Sequence, residues 1–499
     1  MSNNTETFGS RWGYLAATLG MAIGTGNIWR FPRQVAGYGG GSFLLAWTIS
    51  LFLWSVPLLM AEMVLGRKTG LGCAGAFRDF MGRKYTWMGT WVYAVCMLIA
   101  FYYSVVMGWT VKYLTLGLTG AFKPGLTPEV TKAMWEAFLN NPGQVLTFHI
   151  ISALIAGLIV FKGITGGIEK ACKMIIPSLF ILLGIMVVRA LTLPGSAAGL
   201  NYMFTINAAD LFRADVWLAA LTQSAWSTGA GWGFIIVYAV YTKRDYDIGV
   251  NCFITGLGDQ TAALVAALAV LPTVFALSPT LEAANAALGA GNNGLTFIYL
   301  SSLFPTIPLG NVMASIFFLA LATAALSSLI AMVELGGRFF MDLGMERKKA
   351  IVLMTILIMA LGAPSAIKPA ILDNQDWVWG VALLISGLLC ALAMMKYGLD
   401  KVRAEIINTP YADMYVGKWW NYTIMLFPVW FVLVFGWWVW QAMTWYPDNW
   451  MAPFETFSVG TMLWQWALLI VVALLANNYI ADKTIKGRDI TQEASAEGM

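Results

Sequence analysis

Twelve apolar stretches run along this 499-residue chain, at about 11–38, 42–66, 87–118, 146–162, 168–192, 214–242, 247–277, 307–341, 347–363, 376–398, 422–446 and 459–482. Each approaches the roughly 20 residues that a helix needs to cross a bilayer. In hydrocarbon every backbone N–H and C=O must find a partner within the protein, so stretches of this kind fold as helices. Charged types make up only 11% of the chain and hydrophobic types 59%, too little charge to cover a soluble core of this size. The sequence therefore predicts an all-α integral membrane protein with twelve transmembrane helices and no separate soluble domain.

Lysines and arginines fall in alternate connections. Arg67, Lys68, Arg78, Arg83 and Lys84 follow span two; Lys162, Lys170 and Lys173 join four to five; Lys243 and Arg244 join six to seven. Arg347, Lys348 and Lys349 join eight to nine, Lys396, Lys401, Arg403 and Lys418 join ten to eleven, and Lys483, Lys486 and Arg488 close the chain. By the positive-inside rule both termini are expected in the cytoplasm, in a multi-pass protein of the plasma (inner) membrane. The polar start MSNNTETFGS has no basic region leading into a short apolar one, so no cleaved signal peptide is expected. A net charge of +4 does not call for nucleic acid, and five scattered cysteines suggest neither a disulfide framework nor a zinc site. The connections at 119–145 and 278–306 are the longest on the outer side, and the second is expected to hold short helices.

Two spans break the rule that lipid imposes. Span one contains GMAIGTGNIWRFP, Gly20 to Pro32, with glycines at 20, 24 and 26 and an arginine. Span six contains SAWSTGAGWGF, with Gly229, Gly231 and Gly233 in mid-segment. Clustered glycines weaken a helix, and the peptide groups they free cost several kcal/mol each in lipid unless protein, water or an ion takes them. One such cluster is compatible with close helix packing. Two, at corresponding positions of two halves, point to a transporter of inverted repeats with its site at the midplane between broken helices.

At these residues the chain resembles the neurotransmitter:sodium symporter family, typified by the bacterial leucine transporter. The likeness covers nearly the whole chain and rests on GxAxGxGNxWRFP followed by GGGSF, Gly39 to Phe43. It implies sodium-driven symport of an amino acid or related amine by alternating access. It also implies two inverted five-helix repeats, 11–192 and 193–398, then peripheral helices 11 and 12 at 399–482, with tails at 1–10 and 483–499.

The resemblance assigns two sodium positions. One comprises Ala22, Asn27, Ser227 and Asp259; the other comprises the carbonyls of Gly20, Ile23 and Ala324 and the hydroxyls of Ser327 and Ser328. Sodium is a hard cation that suits oxygen ligands, including carbonyls released from a broken helix. Asp259 stands where the family usually has asparagine, and an acid inside a span is functional by default. Its charge beside the first sodium, and a poor chloride cup made by Trp47, Gln223, Ser227, Asp259 and Ala263, lead us to expect no chloride requirement.

The family's substrate pocket falls on Met21, Ala22, Gly24, Thr25, Gly26, Ile99, Tyr103, Trp226, Ser227, Gly229, Trp232, Ser328 and Met332. Amides at a half-helix N-terminus suit a carboxylate, and the Tyr103 hydroxyl adds a donor. Trp226 and Trp232, where phenylalanine is common, argue for a small amino acid. Alternatively they hold a small or methylated amine by cation–π attraction beside Asp259. The outer gate falls on Arg30 and Asp376, over a lid of Tyr103 and Trp226, and the inner gate on Tyr241 and Asp342. The arginine and tryptophan of the family's N-terminal latch are missing: Thr5, Glu6, Thr7 and Phe8 stand there, which leaves inner closure to Arg11 or weakens it.

Other functions find little support. GLGCAG, Gly70 to Gly75, has dinucleotide-site spacing but follows a membrane span instead of a strand, and no P-loop sequence occurs. The single histidine, His149, has no acid, base and nucleophile around it in sequence, so no enzyme is expected. A substrate sensor or channel-like protein on the same architecture is the alternative of a different class.

Overall fold

A computed structural model describes residues 6–492, which fold into helices without a strand among the described residues. Helices α1 (Arg11–Ala22) and α2 (Thr25–Gly37) are the two parts of span one. They are followed by α3 (Gly41–Thr69), α4 (Cys73–Met81), α5 (Arg83–Leu118), α6 (Pro128–Leu139), α7 (Pro142–Phe161), α8 (Ile164–Leu191) and α9 (Ser196–Phe204). Span six comprises α10 (Ala214–Ser227) and α11 (Phe234–Ala239). Beyond it come α12 (Ile248–Leu277), α13 (Leu281–Gly289), short helical turns over 291–306, α14 (Gly310–Asp342) and α15 (Arg347–Ile367). The last three are α16 (Pro369–Tyr397), α17 (Trp419–Trp445) and α18 (Val459–Lys483).

Ten of these helices are long and apolar enough to cross a membrane. The remaining two expected spans are the glycine-broken pairs. Several starts are fixed by side chains that accept an otherwise unpaired first-turn amide: Ser10 for Gly13, Asn141 for Gln144, Asp247 for Val250 and Ser458 for Thr461. Span ten starts at Pro369, seven residues before the expected 376, because proline is pre-set for the first helical turn. The stretch DNQD therefore lies on the helix. Helices α4 and α9, nine residues each, were not anticipated. The turn and first helical residues of α4 account for GLGCAG. The short helices expected in 119–145 and 278–306 are present as α6 and α13.

Packing brings the breaks together. Helix α1 lies against α8, α12 and α14, α2 lies against α12, and both parts of span six lie against α3, while α5 and α14 run along one another. All five cysteines are buried and unpaired. His149 is packed between Ser104 and the Met359 carbonyl and meets no catalytic group. Only 17% of the most apolar stretch of α17 is buried, so that helix sits at the periphery.

The segment after α18 is bound along the cytoplasm-assigned end of α3. Amides of Ile485, Arg488 and Ile490 donate to the carbonyls of Asp342, Thr69 and Arg67 at 2.8, 2.8 and 3.0 Å. Lys68 pairs with Asp489 at 2.6 Å, and Ile490 is buried.

Candidate functional site

The first break follows from one rerouted hydrogen bond. The Gly24 amide, which would close a helical turn onto the Gly20 carbonyl, donates instead to Asn27 Oδ1 at 3.0 Å. Gly24 is needed for its lack of a side chain, since a Cβ there would lie 2.9 Å from Ser328 Oγ and 3.3 Å from the Tyr103 hydroxyl. The second break, 228–233, is held open by glycines 229, 231 and 233 at φ of 74°, 90° and 84°, a region that Cβ-bearing residues avoid. An acid supports it from behind: the Gly231 amide donates to Glu62 Oε1 of α3 at 2.5 Å, and Glu62 is wholly buried. Here a freed peptide group in the core is satisfied by protein.

All thirteen residues expected to form the pocket line one cavity of about 840 Å³. Met21, Ile99, Gly229, Trp232 and Met332 give it an apolar end. Thr25 and Tyr103, whose hydroxyls lie 3.4 Å apart, give it a polar one. The cavity continues past Arg30, Asp376 and Trp377 to Trp445 and Phe457, so it opens towards the end of the protein that carries 291–306. The expected gate partners are not joined. The Arg30 guanidinium lies 5.1 Å from the centre of the Trp226 ring, and Asp376 accepts from the Tyr102 hydroxyl at 2.9 Å and is exposed to the cavity. Arg30 and Asp376 thus stand apart within the cavity lining.

The first set of ion positions converges. Asn27 Nδ2 donates to Asp259 Oδ1 at 2.7 Å, and the Ser227 hydroxyl donates to the same oxygen at 3.0 Å. Asp259 is fully buried, and its second oxygen, Oδ2, has no hydrogen-bond partner among the described residues. A buried carboxylate with an unshared oxygen, beside a hydroxyl, a side-chain amide and a broken helix end, suits a small hard cation. Among the chloride-cup positions, Trp47 Nε1 and Gln223 Oε1 are likewise buried without partners, and Ala263 offers no polar atom.

The second set also converges. Ser327 Oγ lies 2.9 Å from the Ala324 carbonyl oxygen and 3.3 Å from that of Ile23; Ser328 Oγ lies 3.5 Å from the Ala324 oxygen. A Cβ on Gly20 would come within 3.3 Å of Ser327 Cβ and 3.1 Å of Cys172 Sγ. Four residues serve twice: Ala22, Asn27, Ser227 and Ser328 line the cavity and belong to an ion set.

The opposite end is shut, though not by Arg11. Arg11 pairs at 2.7 Å with Asp413, both partly exposed, away from the inner-gate residues. Phe8 fills the gap instead. It is fully buried against the rings of Tyr14, Tyr238 and Tyr241, and its amide donates to the Tyr241 carbonyl at 2.9 Å. The neighbouring Glu6 accepts from the Ile164 amide at 2.8 Å and lies 3.6 Å from Arg347; Thr5 lies outside the described residues. Tyr241 and Asp342 are both present there but engage different partners. The Tyr241 hydroxyl donates to Glu334 at 2.5 Å, Arg347 pairs with Glu334 at 2.6 Å, and Asp342 pairs with Arg338 at 2.8 Å. Sequence reasoning gave no site role to Glu62, Glu334, Arg338 or Arg347, although an acid inside a span is itself a signal.

The sequence pattern of the sodium:neurotransmitter symporter family matches residues 5–125 and 129–483. The chain belongs to that family. It is a multi-pass, sodium-dependent symporter and not an enzyme. An uncharacterized sodium-dependent transporter of Methanocaldococcus jannaschii is 28% identical over 429 residues, 84% of this chain and 87% of that one. The sodium-dependent neutral amino acid transporter B(0)AT2 of Mus musculus is 29% identical over 287 residues, 51% of this chain and 39% of that one. Among solved structures, the transporter MhsT in complex with L-phenylalanine superposes with a TM-score of 0.76 at 29% identity. That match covers 87% of this chain and 99% of MhsT.

Proposed function

We propose that this symporter imports a small neutral amino acid, with two sodium ions as co-transported cargo, by alternating access of a cavity between its two broken helices. The observation that carries the reading is the sharing of Ala22, Asn27, Ser227 and Ser328 between the cavity and the ion positions. Cargo and ions that touch the same residues must bind in concert. The free amides at the start of α2 and the Tyr103 hydroxyl receive the carboxylate, and the apolar end receives the side chain. Relatives bearing neutral amino acids in their names or bound state support this class. The methylated-amine alternative fits less well, because Asp259 is enclosed by Asn27 and Ser227 and Arg30 already covers Trp226.

Transport is chloride-independent in this reading, since Asp259 brings a fixed negative charge to the first ion. The twelve-span topology, the two repeats at 11–192 and 193–398 and the cytoplasmic placement of both termini complete it; the distribution of lysine and arginine supports the orientation. Two sodium ions entering across 100 mV supply about 4.6 kcal/mol, on the order of a thousandfold accumulation of a neutral solute. Uptake of labelled neutral amino acids into proteoliposomes tests the proposal. It should be electrogenic, indifferent to chloride and abolished when potassium replaces sodium; flux that survives the replacement refutes sodium coupling. Counterflow of labelled substrate separates a carrier from a sensor or channel.

A further inference from the structure

Gly380 lies in the interior of α16, where glycine costs about 1 kcal/mol relative to alanine. The residue has a neighbour that explains it. A Cβ at 380 would lie 1.9 Å from Trp226 Cη2, 2.7 Å from Cζ2 and 3.0 Å from Cζ3, so the six-membered edge of the indole occupies the notch left by the missing side chain. The face of the same ring is covered by the Arg30 guanidinium at 5.1 Å. Trp226 lines the cavity, whereas Gly380 does not; the glycine stands behind the indole.

We infer that Gly380 is a positioning residue for transport: it provides the recess into which the Trp226 indole withdraws so that cargo can enter the cavity from outside. The inference rests on the proposed role of Trp226 as part of a lid. Carbon atoms in contact need about 3.5 Å or more, so even a methyl group at 380 displaces the ring by about 1.5 Å. The indole is rigid, α16 closes its rear and Arg30 its face. Displacement therefore carries it into the cavity, towards Tyr103. When the outer side closes, the ring leaves the recess, and the energy of that move is set by how well residue 380 accommodates it.

Accessibility of the cavity gives a test that needs no substrate. A cysteine in place of Ile99, which lines the cavity, is labelled from outside with a membrane-impermeant thiol reagent; the five native cysteines are buried. Gly380→Ala should slow labelling of Ile99→Cys by about tenfold, the scale of an overpacking penalty, and adding Trp226→Phe should restore it to within about twofold. Unchanged labelling in Gly380→Ala, or no restoration by Trp226→Phe, overturns the inference. If Gly380→Ala does not fold, the double variant Gly380→Ala/Trp226→Phe should; its failure to fold also overturns it. Sodium-dependent uptake of tritiated L-alanine and L-phenylalanine by Gly380→Ala should show a raised KM. Labelling that responds as expected in a protein without sodium-dependent uptake would remove the symport reading and leave the recess.

Discussion

Asn27, at the start of α2, and Asp259, in the middle of α12, lie 232 positions apart and meet through a hydrogen bond of 2.7 Å. The contact gives the broken helix a fixed position relative to an unbroken one. It also leaves one oxygen of a buried carboxylate unshared, next to a helix end whose carbonyls have lost their amides.

Replacing that carboxylate removes charge and keeps shape. Asp259→Asn should fold, because an amide can still bond to Asn27 and Ser227. It should raise the sodium concentration for half-maximal uptake by about tenfold or more, given that opposite charges about 4 Å apart attract by several kcal/mol at an effective dielectric near 20. A sodium titration of uptake decides the matter. An unchanged half-saturation would show that the charge does not act on sodium.

Two glycines two positions apart, Gly24 and Gly26, have opposite tolerances. Gly24→Ala places a methyl 2.9 Å from Ser328 Oγ and should lower the melting temperature and abolish uptake. Gly26→Ala meets no atom within 4 Å and should leave stability within about 0.5 kcal/mol. Since residue 26 lines the cavity, that variant should discriminate against larger cargo. Thermal unfolding, together with competition by neutral amino acids of graded size, separates the two effects. Equal tolerance at both positions contradicts the geometry.

Phe8 fills the end of the protein opposite the cavity mouth, buried against three tyrosine rings. Truncation to alanine loses packing of about 3–5 kcal/mol in a site this buried. The native thiol of Cys172, beside Gly20, reports the result. Phe8→Ala should speed its modification from the cytoplasmic side by about tenfold or more, whereas Arg11→Ala should change it little. The reverse pattern would return the latch to Arg11.

The separated pair at the outer side predicts a split between binding and turnover. Asp376→Asn leaves the cavity residues in place, so cargo affinity should stay within about twofold, while closure loses its charge partner and turnover should drop about tenfold. Equilibrium binding and initial-rate uptake measure the two separately. A loss confined to affinity would argue against a gating role.

Much of this was legible in sequence because the bilayer is an exacting solvent. Span lengths follow from its thickness, and the clusters at Gly20–Gly26 and Gly229–Gly233 stand out because lipid penalises bare backbone. Helices α4 and α9 were hidden, being too short at nine residues to show a sustained period. Glu62 and Glu334 were visible as buried acids, yet their roles come from partners, the Gly231 amide 169 positions away and Arg347 across a turn. Gate pairs are harder still. A sequence match pairs Arg30 with Asp376, whereas in the structure they engage Trp226 and Tyr102.

The segment after α18 has a consequence for anyone attaching a probe to this protein. Through the Ile485 amide it holds the end of α14, the helix that carries Ser327 and Ser328, and through Arg488 and Ile490 it holds α3. A fluorophore at Ile490 would therefore sit where the two helices are tied together by the chain's own tail. If the inner side opens by parting them, its brightness follows turnover, and a bulky fusion there slows the cycle.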